Sequence, residues 1–195
     1  MLMLLGLSGV VSAQNARSLY LGYGNNDKLT STPANPVTPM GKPGTKIVIE
    51  RMRNGKLEFV SPKSKFKSGD KIRLRFATNF DGYIKIINVG SSGSVTVLFP
   101  YKGADDRLRR SDDFQVPKGG DWIVFDNTPG MEILTVIMSS QPFGFENDAE
   151  LRNLNNNATQ SRDLTVESDN DATYAVCTEM SLQKPIGFML QLKHK

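Results

Sequence analysis

The side chains best suited to nucleophilic and acid–base chemistry are scarce in this chain. Histidine, the usual general base near neutral pH, occurs once, as His194, beside the last residue of the sequence, where fraying is expected. The single cysteine, Cys177, lies inside a predicted strand beside no residue that would activate it, which predicts a buried, inert thiol. We therefore expect neither a Ser-His or Cys-His nucleophile pair nor a zinc site.

Carboxylates at strand ends are the remaining candidates for catalysis. Asp70, Asp81, Asp126 and Glu132 all occupy such positions, and a glycosidase needs only two carboxylates at the correct separation. Asp at a strand boundary is also ordinary turn chemistry, because its side chain accepts bonds from nearby backbone N–H groups. We interpret these residues as turn formers. A hydrolase that uses Asp70, Asp126 or Glu132 stays open as an alternative.

Acidic clusters raise the question of calcium. The clusters are Asp105-Asp106, Asp112-Asp113 and Asp169-Asn170-Asp171. Calcium needs six to eight converging oxygen ligands, and none of these clusters matches the spaced Asp loop with a central Gly. The run from Gly90 to Gly93 joins two predicted strands and lacks the helix N-terminus and the Lys of a phosphate-binding loop. We predict solvated turns, no metal and no cofactor.

The charged loop 101–113 is the best candidate for binding. Four aromatic residues lie at strand ends or in loops, where they could stack on sugars or anchor a protein: Tyr83, Tyr101, Trp122 and Phe143. Tyr83 and Trp122 adjoin apolar strand positions and are predicted to be core, which leaves Tyr101 as the surface candidate. The predicted binding residues are Tyr101, Asp105, Asp106, Arg107, Arg109 and Arg110.

The charge balance argues against nucleic acid as a partner. The net charge of +4 arises from 24 basic and 20 acidic residues, which indicates a mixed surface. Nucleic-acid binding would need basic side chains clustered with stacking aromatics.

Short alternating strands dominate the pattern after residue 45. In the clearest one, Ile72, Leu74 and Phe76 point one way and Lys71, Arg73 and Arg75 the other, which is typical of a half-buried antiparallel strand. Gly and Pro turns about every ten residues indicate an all-β, mainly antiparallel, immunoglobulin-like β-sandwich over 46–195, with one short late helix within 146–158. The predicted strands are 46–52, 57–60, 70–78, 83–89, 95–99, 113–116, 122–126 and 132–139, with a closing hairpin of 172–181 and 186–193.

The N-terminal part of the chain predicts export. Residues 1–13 are an apolar run that ends in Val11-Ser12-Ala13, as in a signal peptide, although no Lys or Arg precedes the run. The run is too short to span a bilayer, and no later stretch is apolar enough to do so. Residues 14–45 are rich in Asn, Thr, Gly and Pro, which predicts a flexible tether. We expect a periplasmic or extracellular protein with no stable membrane insertion after cleavage.

The segment 66–142 resembles a bacterial domain-of-unknown-function family of β-sandwich modules. The resemblance is carried by Phe66-x-x-Gly69-Asp70-x-Ile72-Arg73-Leu74, then Gly82-Tyr83-Ile84, Gly93, Leu98-Phe99-Pro100, Val116-Pro117 and Pro129-Gly130-x-Glu132. Such modules are often appended to caspase-like peptidase or protein kinase domains. The resemblance implies a fold and no catalytic residues.

Together these features predict a non-catalytic, exported binding or assembly module that acts at the bacterial cell envelope. Binding would use the loop 101–113 and an exposed sheet edge, which can accept a partner strand. The partner would be an envelope protein or a cell-surface polymer. A glycan-binding module, served by Tyr101 and the Asp-rich loops, and the carboxylate-dependent hydrolase are the alternatives.

Overall fold

Two antiparallel sheets pack face to face in the computed structural model, which describes residues 15–22, 41–101, 104, 107–110, 112–143, 153, 164–177 and 185–195. The prediction of an all-β sandwich is therefore confirmed. The elements are α1 (Ala16–Leu21), β1 (Gly44–Arg53), β2 (Lys56–Val60), β3 (Lys71–Thr78), β4 (Gly82–Val89), β5 (Val95–Phe99), β6 (Arg107–Leu108), β7 (Asp113–Val116), β8 (Ile123–Val124), β9 (Gly130–Ser139), β10 (Leu164–Ser168), β11 (Thr173–Cys177) and β12 (Ile186–His194).

The larger sheet has the strand order β10-β11-β1-β3-β7, with β2 paired to β1 and β8 paired to β3. The smaller sheet has the order β12-β9-β4-β5, with β6 paired to β4. Strands β2 and β11 share one edge of β1, since β2 pairs with residues 49–53 and β11 with residues 44–47. This shared edge leaves a depression on the outer face of the larger sheet.

The core lies between the sheets and follows the period of two in the sequence. On β3, Ile72, Leu74 and Phe76 are at most 1% exposed, and they pack with Ile84 and Ile86 of β4. Each fully buried side chain of this size contributes about 1.5–3 kcal/mol. Cys177 belongs to the same core, as predicted.

Two predicted turns are confirmed. Asn54 and Gly55 connect β1 to β2 with φ values of 51° and 77°, the left-handed conformation that a tight hairpin turn requires. The run from Gly90 to Ser94 connects β4 to β5, with Gly93 at a φ of 80°.

The segment between β3 and β4 carries the chain from one sheet to the other. Asn79 secures it, because its carboxamide oxygen accepts the Gly44 N–H at 2.8 Å while its Nδ2 donates to the carbonyls of Tyr20 and Lys42. These bonds tie the end of β3 to β1 and to α1.

The prediction of a closing hairpin is wrong. Strand β11 pairs with β1 and β10 in the larger sheet, whereas β12 pairs with β9 in the smaller one. Alternation identifies a strand but not its neighbour, because the same apolar face can pack on either sheet. All five residues of β11 are buried, since the core covers one face and α1 the other.

The prediction of a mobile tether over 14–45 is wrong for Ala16–Leu21, which form a docked helix. Asn15 caps this helix by accepting the Ser18 N–H at 2.8 Å, and Gly22 ends it in the left-handed conformation. Ala16 is fully buried against Tyr174 and Val176. The predicted signal peptide, residues 23–40 and all of the predicted late helix except Asn153 lie outside the described residues.

Candidate functional site

A groove of about 570 Å³ lies on the outer face of the larger sheet. We call it the outer groove; its lining residues are Arg17, Lys46, Val48, Phe59, Arg75, Phe76, Ala77, Asp113, Asp169, Asp171, Ala172 and Tyr174. Strand alternation places the groove, because Ile47 and Ile49 enter the core while Lys46 and Val48 point outward.

Phe59 is the exposed aromatic side chain of the outer groove. It lies opposite Glu50 in the register of β1 and β2, and 56% of its surface is exposed. Tyr174 is less available, because Tyr20 packs on it at a ring distance of 5.6 Å and the Arg17 guanidinium lies 6.0 Å from its ring centre. Burial, together with the proximity of Tyr174, raises the pKa of Tyr20 to about 12.

One end of the outer groove carries a paired arginine. Arg75 contacts Asp113 closely and also lies 3.5 Å from Glu50. The hydrogen bond from Arg75 to Asp113 holds the pKa of the guanidinium above its ordinary value. Arg75 and Asp113 therefore form a polar, paired side of the groove.

The opposite end carries charges of both signs. The backbone N–H groups of Ala172 and Asp171, then Arg17 and Lys46, hold the pKa of Asp169 below its ordinary value. Arg17 lies 3.9 Å from Asp169. Among the described residues, neither Lys46 nor Asp171 has an ion-pair partner within 4.0 Å, so both charges are available to a ligand.

The structure brings two of the predicted carboxylates together at a second, smaller pocket of about 190 Å³. We call it the end pocket, because it opens at one end of the sandwich, where β4, β9 and β12 meet β8. Its lining residues are Ile72, Asn88, Gly90, Ser91, Ser92, Ser94, Ile123, Val124, Phe125, Asp126, Glu132, Leu134, Leu192 and His194. The backbone N–H of Thr128 donates to Asp126 at 2.7 Å, the turn chemistry expected for that residue.

Asp70 lies apart from both pockets and is engaged by Arg53. Its two carboxylate oxygens accept from Arg53 Nε and Nη2 at 2.7 and 2.5 Å, and one also accepts the Lys67 N–H. Burial alone would raise the pKa of Asp70, but these hydrogen bonds and the charges of Arg53 and Arg51 outweigh it, so the pKa is lowered. Asp70, a catalytic candidate because it lies at a strand end, thus forms an ion pair with Arg53.

Four of the binding residues predicted in the loop 101–113 do not line the outer groove: Tyr101, Arg107, Arg109 and Arg110. Tyr101 is half-buried and packs edge-on against Phe99, with Lys118 Nζ 5.8 Å from its ring centre. Arg107, Arg109 and Arg110 are exposed, and the Arg110 N–H donates to Asp81. Asp105 and Asp106 lie outside the described residues.

The other three aromatic residues considered as binding candidates are half-buried: Tyr83, Trp122 and Phe143. The Arg73 guanidinium lies 3.6 Å from the ring centre of Trp122, so the predicted core tryptophan instead stacks beside the sheet surface. Tyr83 is half-buried as well, and Phe143 packs against Ile87 and Ile137.

The prediction that His194 frays is wrong. His194 is 3% exposed, and its Nε2 lies 3.1 Å from the Ser68 hydroxyl. Among the described residues, its Nδ1 has no hydrogen-bond partner, so no carboxylate orients the imidazole as in a catalytic triad. Sequence spacing gave no signal for this pair, because the two residues are 126 positions apart.

Within the described part of the chain, no three His, Cys, Asp or Glu side chains are arranged to hold a metal ion. No helix in the same residues has the length and apolar character needed to cross a membrane.

Residues 65–142 match the model of a family described as a domain of unknown function (DUF4384). The resemblance predicted for residues 66–142 is thereby confirmed. Neither the curated proteins nor the solved structures contain a match to the chain. The family segment includes β3, β7 and the end pocket's acidic residues. Most of the residues that line the outer groove lie outside it, on α1, β1, β2, β11 and the turn between β10 and β11.

Proposed function

We propose that this protein is a non-catalytic, exported binding module that acts at the bacterial cell envelope and holds a segment of a partner protein in the outer groove. The observation that carries the proposal is the position of Phe59, an exposed aromatic side chain at a groove of about 570 Å³. Aromatic residues, Phe among them, are enriched in protein–protein interfaces relative to the rest of the surface.

The charges of the outer groove favour a protein segment over a glycan. Val48 and Phe59 offer an apolar surface, while Lys46 and Asp171 offer charges of opposite sign that have no ion-pair partner in the described part of the chain. A peptide with an apolar side chain flanked by an acidic and a basic residue complements all three features. A sugar ring stacks on an open aromatic face, and because Tyr20 and Arg17 occupy that of Tyr174, Phe59 is the one exposed aromatic side chain among the described lining residues.

Two further observations support the non-catalytic role and the export that we propose. Asp70 is bound by Arg53, and the imidazole of His194 lacks an orienting carboxylate among the described residues, which favours a non-catalytic role. The apolar run 1–13, with its small residues before Gln14, supports export.

The test combines capture with site-specific cross-linking. Protein carrying a photoreactive phenylalanine analogue at position 59 is incubated with fractionated bacterial envelope and irradiated, and the cross-linked peptide is identified. We expect a cross-linked segment with an apolar residue between charged ones. Capture should be lost in Phe59→Ser and in Lys46→Glu.

Leu57→Ser is the matched control, because Leu57 lies on the same strand and is 50% exposed but does not line the groove. Its capture should equal that of the wild type. Equal capture by Phe59→Ser would overturn the proposal, as would no capture by any fraction. Retention by protein-free polysaccharide that Phe59→Ser abolishes would replace the protein partner by a glycan.

A further inference from the structure

We propose that the end pocket binds a small organic cation, a primary ammonium group on a short aliphatic stem. This site is separate from the outer groove and needs no part of the function proposed for it.

The first argument is a buried, unsatisfied acceptor. Asn88 Nδ2 donates to Glu132 Oε2 at 3.2 Å, and because a carboxylate can only accept, this contact fixes the orientation of the amide. The Asn88 Oδ1 atom is then left buried and without a partner among the described residues. An unsatisfied buried acceptor costs about 1–3 kcal/mol, which a ligand that donates a hydrogen bond would recover.

The second argument is a buried histidine at the same pocket. His194 lines the end pocket and is only 3% exposed. Its Nδ1 atom has no hydrogen-bond partner among the described residues. Its ring is held in place by Ser68 at Nε2 and by the edge contact with Phe125 at 5.1 Å. Two independent side chains therefore leave a buried polar atom at one small cavity.

The charge of the lining selects the ligand class. Asp126 and Glu132 both line the end pocket, and among the described residues no Lys or Arg does. Glu132 is held in position, since Oε1 accepts the Ser91 N–H at 3.1 Å and Oε2 accepts from Asn88. Two carboxylates and an amide oxygen favour a cation that donates hydrogen bonds and disfavour an anion.

The apolar floor and the volume of the end pocket indicate what the uncharged part of the ligand is. Ile72, Leu134 and Leu192 form an apolar floor beneath the polar rim. The volume of about 190 Å³ equals that of roughly six waters, which suits a short aliphatic stem rather than a ring system. The turn Gly90–Ser94 packs closely on β9: a Cβ atom added to Gly130 would lie 2.5 Å from Ser91 Cβ. The rim of the pocket is therefore held by this contact.

The test uses His194 as a reporter, because it is the only histidine of the chain. The imidazole nitrogen and carbon-bound proton resonances are followed by NMR while n-butylammonium chloride, n-butanol or sodium butyrate is added to the full chain at constant ionic strength. These probes share one stem and differ in charge. We expect saturable shifts with n-butylammonium alone.

Two variants test the carboxylates. Asp126→Asn and Glu132→Gln should each weaken n-butylammonium binding by about fivefold. Asp121→Asn, the same change at an exposed carboxylate outside the pocket, should leave it unchanged. Asp126 is exposed, so its variant should fold even if Glu132→Gln does not.

Several results would overturn the proposal. Equal shifts with all three probes would indicate an unselective apolar cavity, and shifts with butyrate alone would indicate an anion site. The absence of any shift up to n-butylammonium concentrations far above the protein concentration, or affinities unchanged in Asp126→Asn, would reject a cation site.

Discussion

The Nε2 atom of His194 lies 3.1 Å from the hydroxyl oxygen of Ser68, and the contact joins the last strand to the turn before β3. Backbone bonds surround it, since the Phe66 N–H donates to Lys193 at 3.0 Å and the Lys195 N–H donates to Phe66 at 2.9 Å. The end of the chain is thus anchored in the sandwich, and its histidine becomes a buried component of the end pocket.

The serine in this contact should be unreactive. Transfer of the Ser68 proton would place a positive charge on a buried imidazole that no carboxylate contacts among the described residues. We expect no adduct when the protein is treated with a fluorophosphonate and its intact mass is measured. Ser68→Ala is the matched control, and a wild-type mass increase that this variant abolishes would contradict the prediction.

The ion pair of Asp70 and Arg53 should make the protein sensitive to acid. The pKa of Asp70 is lower in the folded chain than in the unfolded one, so the unfolded state binds more protons at low pH. The stabilisation is complete above the ordinary carboxyl pKa of about 4 and is lost as the pH falls below it.

Asp70→Asn should therefore lower the free energy of unfolding by about 2 kcal/mol at neutral pH, because it removes the charge that pairs with Arg53. The difference from the wild type should shrink as the pH falls through about 4, as urea unfolding at several pH values would measure. Asp121→Asn serves as the exposed control. A difference that stays constant with pH would show that the ion pair is not its source.

Gly82 should tolerate no side chain. A Cβ at this position would lie 2.5 Å from the Ser139 carbonyl oxygen and 2.7 Å from Phe80, and the carbonyl belongs to the paired strand β9, which has little freedom to move. Gly82→Ala should lower the free energy of unfolding by about 3 kcal/mol.

Gly120→Ala is the matched comparison, because a Cβ there meets nothing within 4 Å and the backbone is not in the left-handed region. Its stability in urea should stay within about 0.5 kcal/mol of the wild type. Similar losses in both variants would mean that backbone entropy, rather than the contact with Ser139, sets the cost.

The mature protein should begin at Gln14 when it is isolated from the envelope of an expressing bacterium. Cleavage after Ala13 would retain Asn15, whose side chain caps α1 through the Ser18 N–H. Intact mass and N-terminal sequencing would identify the terminus. Ala13→Arg should block processing, because the signal peptidase requires a small residue there. A protein that keeps residues 1–13 would contradict the prediction of export by cleavage.

Local chemistry in the sequence was sufficient to identify most strands and their turns. Ile72, Leu74 and Phe76 occupy alternate positions because all three side chains are buried on the same face of β3. Asn54-Gly55 indicates a tight hairpin because both residues accept a positive φ. The same reasoning identified Cys177 as a core residue. The face on which a strand residue lies and the conformation of a tight turn depend on residues adjacent in sequence, so the sequence alone predicts them.

Strand partners and pockets depended on the tertiary structure. The alternation that identified 172–181 and 186–193 contained no information about which sheet each would join, and they joined different ones. The two proposed sites follow from that choice. Phe59 and Tyr174 line one groove because β2 and β11 share an edge of β1. His194 lines one pocket with Asn88 and Glu132 because β12 and β4 flank β9. Burial of apolar surface drives these pairings, and it depends on the whole core rather than on any single segment.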